Sequence, residues 1–518
     1  MEINSYADTF REELKDFQRE TEKFYLGQID AKQYKGFSGR FGSYAQKGGK
    51  ASMLRLRMAG GRLTKERLKF IADMIEEYHI DKVHLTTCQT VQLHNLNGTD
   101  VCQIMEKAID VGILTWGGGG DFPRNVMMSP LTGVEEGEYF NVTPYGEAAA
   151  QYAMGFITKI KLPRKLKIVF SNTPANESHA TFRDLGFAAT PEGKFDVYSA
   201  GGLGNSPKMG VCVKKGVEPS EILYYIKAMA ETFMAYGNYE NRGKARTRFM
   251  QDTLGTEGYK AAFLEKLDKV YEEEKDQLKI EVSETPITKA GKGQIFADQK
   301  RVIKQKQPGL YTVVYHPIAG TPAPEKFRQL YETVKNMDQI ELRIAPDQTL
   351  YIINCTAEEA EAVLKATQDG AQNEFETSVA CIGSSICQVG VGDSQKLLSA
   401  LVEEERTWGF EDGVLPVIHI SGCPSSCGTH QIGKIGFRGG VKMVDKTPQP
   451  AFVLFVGGCD LEGQERFGKE LGQILAANIP GFMKELGEKI SQAGMVFEQW
   501  FPDHQKELEE IAGKYIIK

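Results

Sequence analysis

The sequence predicts an α+β protein built by internal duplication, and three observations carry that reading. "GRLTKERLKFIADMIEEYHIDKVHLTTCQTVQLHNL", from Gly61, overlays without a gap on "GTPAPEKFRQLYETVKNMDQIELRIAPDQTLYIINC", from Gly320. Ile71 falls on Leu330, Ile75 on Val334, Gln89-Thr90 on Gln348-Thr349 and Leu93 on Ile352. Each copy reads as strand, Gly turn, amphipathic helix and two alternating strands, a split β-α-β half-domain able to pair with its twin about a pseudo-twofold axis. A fainter echo follows each copy. "LPRKLKIVFSNTP" at 162 resembles "LPVIHISGCPSS" at 415, and "FDVYSAGGLG" is matched to "IGFRGG".

Taken in chain order, "MEINSYADTFREELKDFQRETEKFY" is a charged, helix-like stretch. It lacks the apolar run and small-residue cleavage site of a secretory signal. In the strand "MLRLRM", alternation sets Leu54 and Leu56 on one face and Arg55 and Arg57 on the other. The following helix turns Leu68, Ile71 and Ile75 inward at helical spacing. "TWGGGGDFPRN", near 116–125, is a Gly-rich transition. "LPRKLK" gives Arg164 one parity and Lys165 and Lys167 the other. The polar run "EEEKDQLKIEVSETPITKAGKGQ", 272–294, reads as a linker or surface crossover, and "AQNEFETSVACIG", 371–383, opens the last domain.

With 518 residues, 41% hydrophobic and 25% charged, the chain has room for several ordinary globular domains. A net charge of −7 argues against nucleic acid as partner. No apolar run approaches the ~20 residues that span a bilayer, so the expectation is a cytoplasmic protein with no membrane partner. Thiols stay reduced in that compartment.

Nine cysteines occur, five of them singly, which reads as packing. The other four form two tight pairs, Cys381/Cys387 in "CIGSSIC" and Cys423/Cys427 in "SGCPSSCG". Structural zinc favours ligands two to four residues apart, which suits the second pair and not the first. A cubane cluster needs four convergent thiolates in roomy loops, and Gly383, Ser384, Ser385, Gly422, Pro424, Ser425, Ser426 and Gly428 are small or turn-prone. A cluster and zinc both remain open on this chemistry, the cluster being favoured.

These residues carry a resemblance. "CIGSSIC" with "SGCPSSCGTHQIGKIGFRG" resembles the cysteine signature of the sirohaem-dependent nitrite/sulfite reductases. "LRLRMAGGRLT", "TTCQTVQLH", "RNVMMSPLTG", "LPRKLKI" and "AGGLGNSPK" are similar to further blocks of that family, in the same order. The resemblance implies two ferredoxin-like half-domains related by a pseudo-twofold plus two α/β domains with mixed and antiparallel sheets, the cofactors at their junction. Expected boundaries are 1–118, 119–299, 300–368 and 369–518. It implies a 4Fe–4S cluster on Cys381, Cys387, Cys423 and Cys427, with Cys427 bridging to sirohaem. It further implies Arg57, Arg124, Lys165 and Lys167 on the substrate side of the haem. Arg55, Arg164 and Lys208 are the candidates for its carboxylates, and Gly202 for close backbone approach.

Physically these roles cohere. Sirohaem carries eight carboxylates, and burying them demands cations. Arginine grips an anion with paired donors and lysine delivers a compact charge with its proton. Reducing sulfite to sulfide takes six electrons and removes three oxygens as water, each cleavage needing charge stabilisation and a proton. One position departs from the pattern: Cys88 stands in "TTCQT" where the family commonly has arginine. Lys167 stands where nitrite-preferring relatives tend to have Asn, so the expected substrate is sulfite, with nitrite reduction to ammonia the alternative. A precorrin-3B synthase-type enzyme, a haem-free cluster-binding module and a zinc-scaffolded structural protein are further alternatives. "GGLGNSPKMG" lacks GxGxxG spacing and a downstream acid, so electrons are expected from a separate protein, ferredoxin first and an NADPH-linked flavoprotein second.

Overall fold

The computed structural model describes residues 6–294 and 300–517. The first residues of the N-terminal stretch and the expected boundary at 299 lie outside them.

The charged stretch near the N-terminus forms a helix, Ala7–Tyr25, burying Phe10, Leu14 and Phe17. The first half-domain then runs β1 (Ser43–Ala45), β2 (Ser52–Arg57), β3 (Arg62–Leu63), the helix Lys65–Glu77, β4 (Val83–Leu85) and β5 (Thr90–Leu96). Thr64 caps that helix by accepting from Arg67 N at 3.3 Å, and its apolar stripe of Leu68, Ile71 and Ile75 is buried as its spacing predicts. β1, β2, β5 and β4 form one antiparallel sheet.

The next domain places β6 (Met127–Met128), β7 (Ile168–Ser171), β8 (Leu185–Ala189), β9 (Phe195–Ser199) and β10 (Val211–Val217) side by side in that order. The first two pairings are parallel and the last two antiparallel. After the helix Thr256–Glu274 the polar segment carries no helix or strand through 294. It is pinned to the second half-domain, where Lys289 pairs with Glu359 at 2.6 Å and Ala357 N donates to Lys292 O at 3.0 Å.

The second half-domain has β11 (Val302–Lys304), β12 (Tyr311–Tyr315), β13 (Glu341–Ile344) and β14 (Leu350–Cys355), with β3 of the first half added to its edge. Arg62 on β3 forks onto Glu341 of β13 at 2.6 and 2.7 Å, stapling the halves. Their equivalent helices pack on each other, with Arg328 on Asp73 and Glu76. Both halves share one apolar core.

The last domain repeats the second domain's topology: β15 (Val379–Ala380), β16 (Ile418–Ser421), β17 (Ile435–Val444), β18 (Thr447–Val456) and β19 (Lys469–Leu475), two parallel pairings followed by two antiparallel. Matching positions confirm the duplication. Gln89 brackets Met128 through both backbone groups, at 2.8 and 2.9 Å; its mate Gln348 brackets Ala380 the same way, at 2.9 and 3.0 Å. Both glutamines adopt positive φ, 55° and 76°. The echo of "LPRKLKIVFSNTP" in "LPVIHISGCPSS" is borne out as β7 and β16. The second echo is corrected: "FDVYSAGGLG" holds β9, whereas "IGFRGG" lies in β17, the counterpart of β8. Gly186 and Gly436 prove that register, since a Cβ on either would sit 1.8 Å from the carbonyl of Ala180 or His430. A short Gly-bearing strand is too degenerate a pattern to fix which of two neighbouring strands it is.

Candidate functional site

Where the four sheets meet, a cavity of about 340 Å³ is lined from both half-domains and both flanking domains. β2 delivers Arg55 and Arg57, and the parity that buries Leu54 and Leu56 in the core is what turns the arginines toward it. The residue run before β7 delivers Lys165 and Lys167, while Arg124 comes from the Gly-rich transition. Gly202, Cys381, Cys387 and Cys427 complete the expected residues that line it.

Two expected carboxylate partners lie elsewhere. Arg164, of opposite parity to the lysines, pairs with Asp121 at 2.7 Å. Lys208 faces Gly202 through paired backbone hydrogen bonds of 2.9 Å, but its ammonium is held by Asp252 at 2.5 Å. Cys423 does not line it. Three cations that the sequence reading did not single out line the cavity instead: Lys35, Arg183 and Arg246. They occur in unremarkable sequence, and only the fold gathers them. Among the described residues eight Lys and Arg side chains line the cavity and no Asp or Glu does.

Buried cations without carboxylates repel one another, and the protonation equilibria show it. Lys165 is held well below the usual lysine range by burial, then by Arg246, Arg124 and Lys167. Burial and Arg124 bring Arg57 down to about 10. Much of this positive lattice is braced by backbone carbonyls. Arg57 donates to Trp116 O at 2.6 Å and Arg124 O at 2.9 Å, and Arg124 donates to Gly118 O and Gly120 O at 3.0 and 2.7 Å. Arg246 grips the buried Asp184 at 2.9 Å. Even so, the buried Nε atoms of Arg124, Arg183 and Arg246 have no hydrogen-bond partner. Such a wall suits a polyanion whose oxygens would satisfy those donors.

The thiols sit on tight loops at one side. Gly383, at φ 73°, lets the chain turn between Cys381 and Cys387, and Cys387 N donates to Gly383 O at 2.9 Å. Cys381 Sγ accepts from Gly422 N at 3.2 Å and lies 3.2 Å from Ser394 Oγ. Backbone amides aimed at sulfur are the arrangement that tunes a thiolate-held cluster. Cys427 faces the cavity interior although it is deep in the molecule. Burial, followed by Cys381, pushes its thiol above the ordinary range while Lys165 and Lys167 oppose the shift. Thr87, from the first half-domain, donates to Cys427 O at 2.7 Å, and Lys47 reaches Ser384 O at 3.1 Å. Among the described residues no three His, Cys, Asp or Glu side chains converge on a single metal ion. A cubane distributes its thiolates over four irons, a wider ligand set than one ion's shell.

A cationic cavity thus lies beside the paired loop thiols at the junction of a duplicated α+β fold. Residues 44–111 match the nitrite/sulfite reductase ferredoxin-like half domain, and residues 119–271 the nitrite and sulphite reductase 4Fe–4S domain. These matches, with the relatives below, support the sirohaem nitrite/sulfite reductase family, whose members bind sirohaem and a 4Fe–4S cluster. It is 26% identical over 405 residues to the chloroplastic ferredoxin–nitrite reductase of Arabidopsis thaliana, covering 75% of this chain and 67% of that one. It is equally 26% identical over 454 residues to sulfite reductase (ferredoxin) 1 of Mycolicibacterium paratuberculosis, covering 85% and 78%. The fold superposes on the structure of the Mycobacterium tuberculosis NirA protein with a TM-score of 0.78, at 24% identity over 95% and 96% of the two chains. Among the described residues no helix is long and apolar enough to cross a membrane.

Proposed function

We propose that this chain is a ferredoxin-dependent sulfite reductase that carries sulfite to sulfide. The observation that supports the reading best is the cavity lining, eight cations and no carboxylate beside the paired cysteines. Cys381, Cys387, Cys423 and Cys427 would hold the cluster, with Cys427, which faces the cavity, as the thiolate shared with the haem. Arg55, Arg183 and Arg246 would take up haem carboxylates, with Gly202 giving close backbone approach; Arg164 and Lys208 are engaged by acids and would contribute from further out. When bound, the cofactors supply electrons singly and an iron that accepts the anion.

The protein's own part is to attract, hold and protonate. Arg57 and Arg124, pinned by carbonyls, keep a fixed positive field at the anion and need no reorganisation as charge moves onto the departing oxygens. Lys165, whose proton is weakly held because of burial and then of its cationic neighbours, is suited to donate it to a leaving oxygen and recover another from solvent. Two lysines on one face favour the dianion sulfite over the monoanion nitrite. Nitrite remains the second reading, because relatives named for each substrate are similar to the chain at the same identity.

The test is anaerobic purification followed by an absorption spectrum, iron analysis and product assay with reduced ferredoxin. Haem bands, four cluster irons and sulfide from sulfite are expected. Ammonia formed from nitrite with a much higher kcat/KM would overturn the sulfite assignment, and absence of macrocycle bands would overturn the reading as a whole. Lys167→Asn should move the ratio of kcat/KM values toward nitrite by about tenfold.

A further inference from the structure

Cys88 occupies the turn between β4 and β5, and the turn leaves it little freedom. Gln89 beside it takes positive φ, Asn125 Nδ2 donates to Cys88 O at 3.0 Å, and Cys88 N donates to Thr86 Oγ1 at 3.3 Å. From this fixed place its Sγ lies 3.3 Å from Lys167 Nζ, and both side chains line the cavity. The other charges facing the thiol are Arg183, Arg55 and Arg124. Those facing Lys167 are Lys165, Arg183, Arg246 and Cys427, while its own backbone N–H donates to Asp184 at 2.9 Å. Arg183 is only 5% exposed; its Nη2 meets His179 Nδ1 at 2.7 Å and its Nε has no partner, so its charge bears on this corner, opposed by Cys88 and Asp184.

Resting on the role given to Lys167 above, we propose that Cys88 is the counter-charge of Lys167, a thiolate–ammonium pair in the cavity wall that keeps the proton on the lysine. Cys88 is thus a positioning residue acting through Lys167. The energetics run in that direction. Burial alone would raise the thiol, but Lys167, Arg183 and Arg55 outweigh it and bring it down to about 6. Burial pulls Lys167 below its usual range, and Cys88 is the strongest opposing influence. Without the thiolate, the arginines would strip the lysine of its proton at lower pH. The thiolate thus keeps the second lysine in its ammonium form, the form in which it meets the anion.

The holoenzyme tests this. Iodoacetamide labelling of Cys88, read by peptide mass spectrometry between about pH 5.5 and 9, should show a midpoint near 6. Lys167→Met should raise that midpoint by at least about one pH unit, a tenfold change. In kcat profiles, Cys88→Ala should move the alkaline limb to lower pH by a similar amount with a smaller effect on KM, and Cys88→Asp should return it. A midpoint in the ordinary thiol range in both proteins, no labelling at any pH, or superimposable profiles for wild type and Cys88→Ala would overturn the proposal. The labelling midpoint is independent of the substrate. A protein that shows it yet forms no sulfide would contradict the proposed function and leave the pair standing.

Discussion

The domain of β6–β10 and the domain of β15–β19 share a topology and carry opposite chemistry. The glutamine brackets and strand registers place Ser129 where the other copy has Cys381, Thr173 where it has Cys423, and Glu177 where it has Cys427. Glu135 follows Ser129 at the interval by which Cys387 follows Cys381. Likewise Asp347 is the mate of Cys88, being the residue before the bracketing glutamine. Around Glu177 the neighbours are Glu135, Asp347 and Asp460, and with burial they push its carboxyl up to about 8. One end of the pseudo-twofold is therefore a cationic cavity beside thiols, and the other is an acidic corner. The scaffold tolerates both, because neither set of side chains supports the strands. The brackets and the glycines at 186 and 436 do that.

The largest break in this comparison should come from Cys427→Ser, expected to lose cluster–haem coupling and lower sulfite reduction by about a thousandfold or more, read by the spectrum of the reduced enzyme and by turnover. Cys459→Ser, at a position assigned no ligand, should leave both near wild type. Lys165→Met should follow, lowering kcat by about 10²–10³ with a smaller effect on KM, since it would remove the proton donor proposed for the departing oxygen. Gln348→Ala should destabilise by about 2–4 kcal/mol, because it strands the buried N–H of Ala380 and leaves its C=O only Gln395 Nε2 at 3.3 Å, and Gln89→Ala should cost about the same at Met128. Unequal losses on denaturant titration would show that the two brackets are not equivalent.

The smallest effect sharpens the acidic end. A carboxyl whose folded value lies above its unfolded one binds protons more tightly when folded, so its ionisation weakens the fold as pH rises from about 4.5 to about 8. Glu177→Gln should match wild type below that window and exceed it above, the gap widening until about pH 8. Equal stability at pH 9 would mean the corner is wetter than its burial indicates.

Much of this was legible because it repeats. The helix stripe of Leu68, Ile71 and Ile75, the matched Gln-Thr dipeptides and the two cysteine pairs are local patterns. The parity of "LPRKLK" already separated Arg164 from Lys165 and Lys167, and the structure sends them to different surroundings along that division. Arg183 and Arg246 carried no such mark. Each follows or precedes ordinary residues, and each reaches the cavity only because Asp184 and His179 hold it there.

What the amino-acid order settled alone was the duplicated α+β architecture, the inward faces of its strands and helices, and the thiol loops, since hydrophobic period and residue spacing are properties of neighbours in the chain. Which cations share a cavity, which are claimed by Asp121 and Asp252, and which thiol meets a lysine were decided by tertiary packing. Charge acts through space, and its partners here come from segments of the chain that lie tens to hundreds of residues apart.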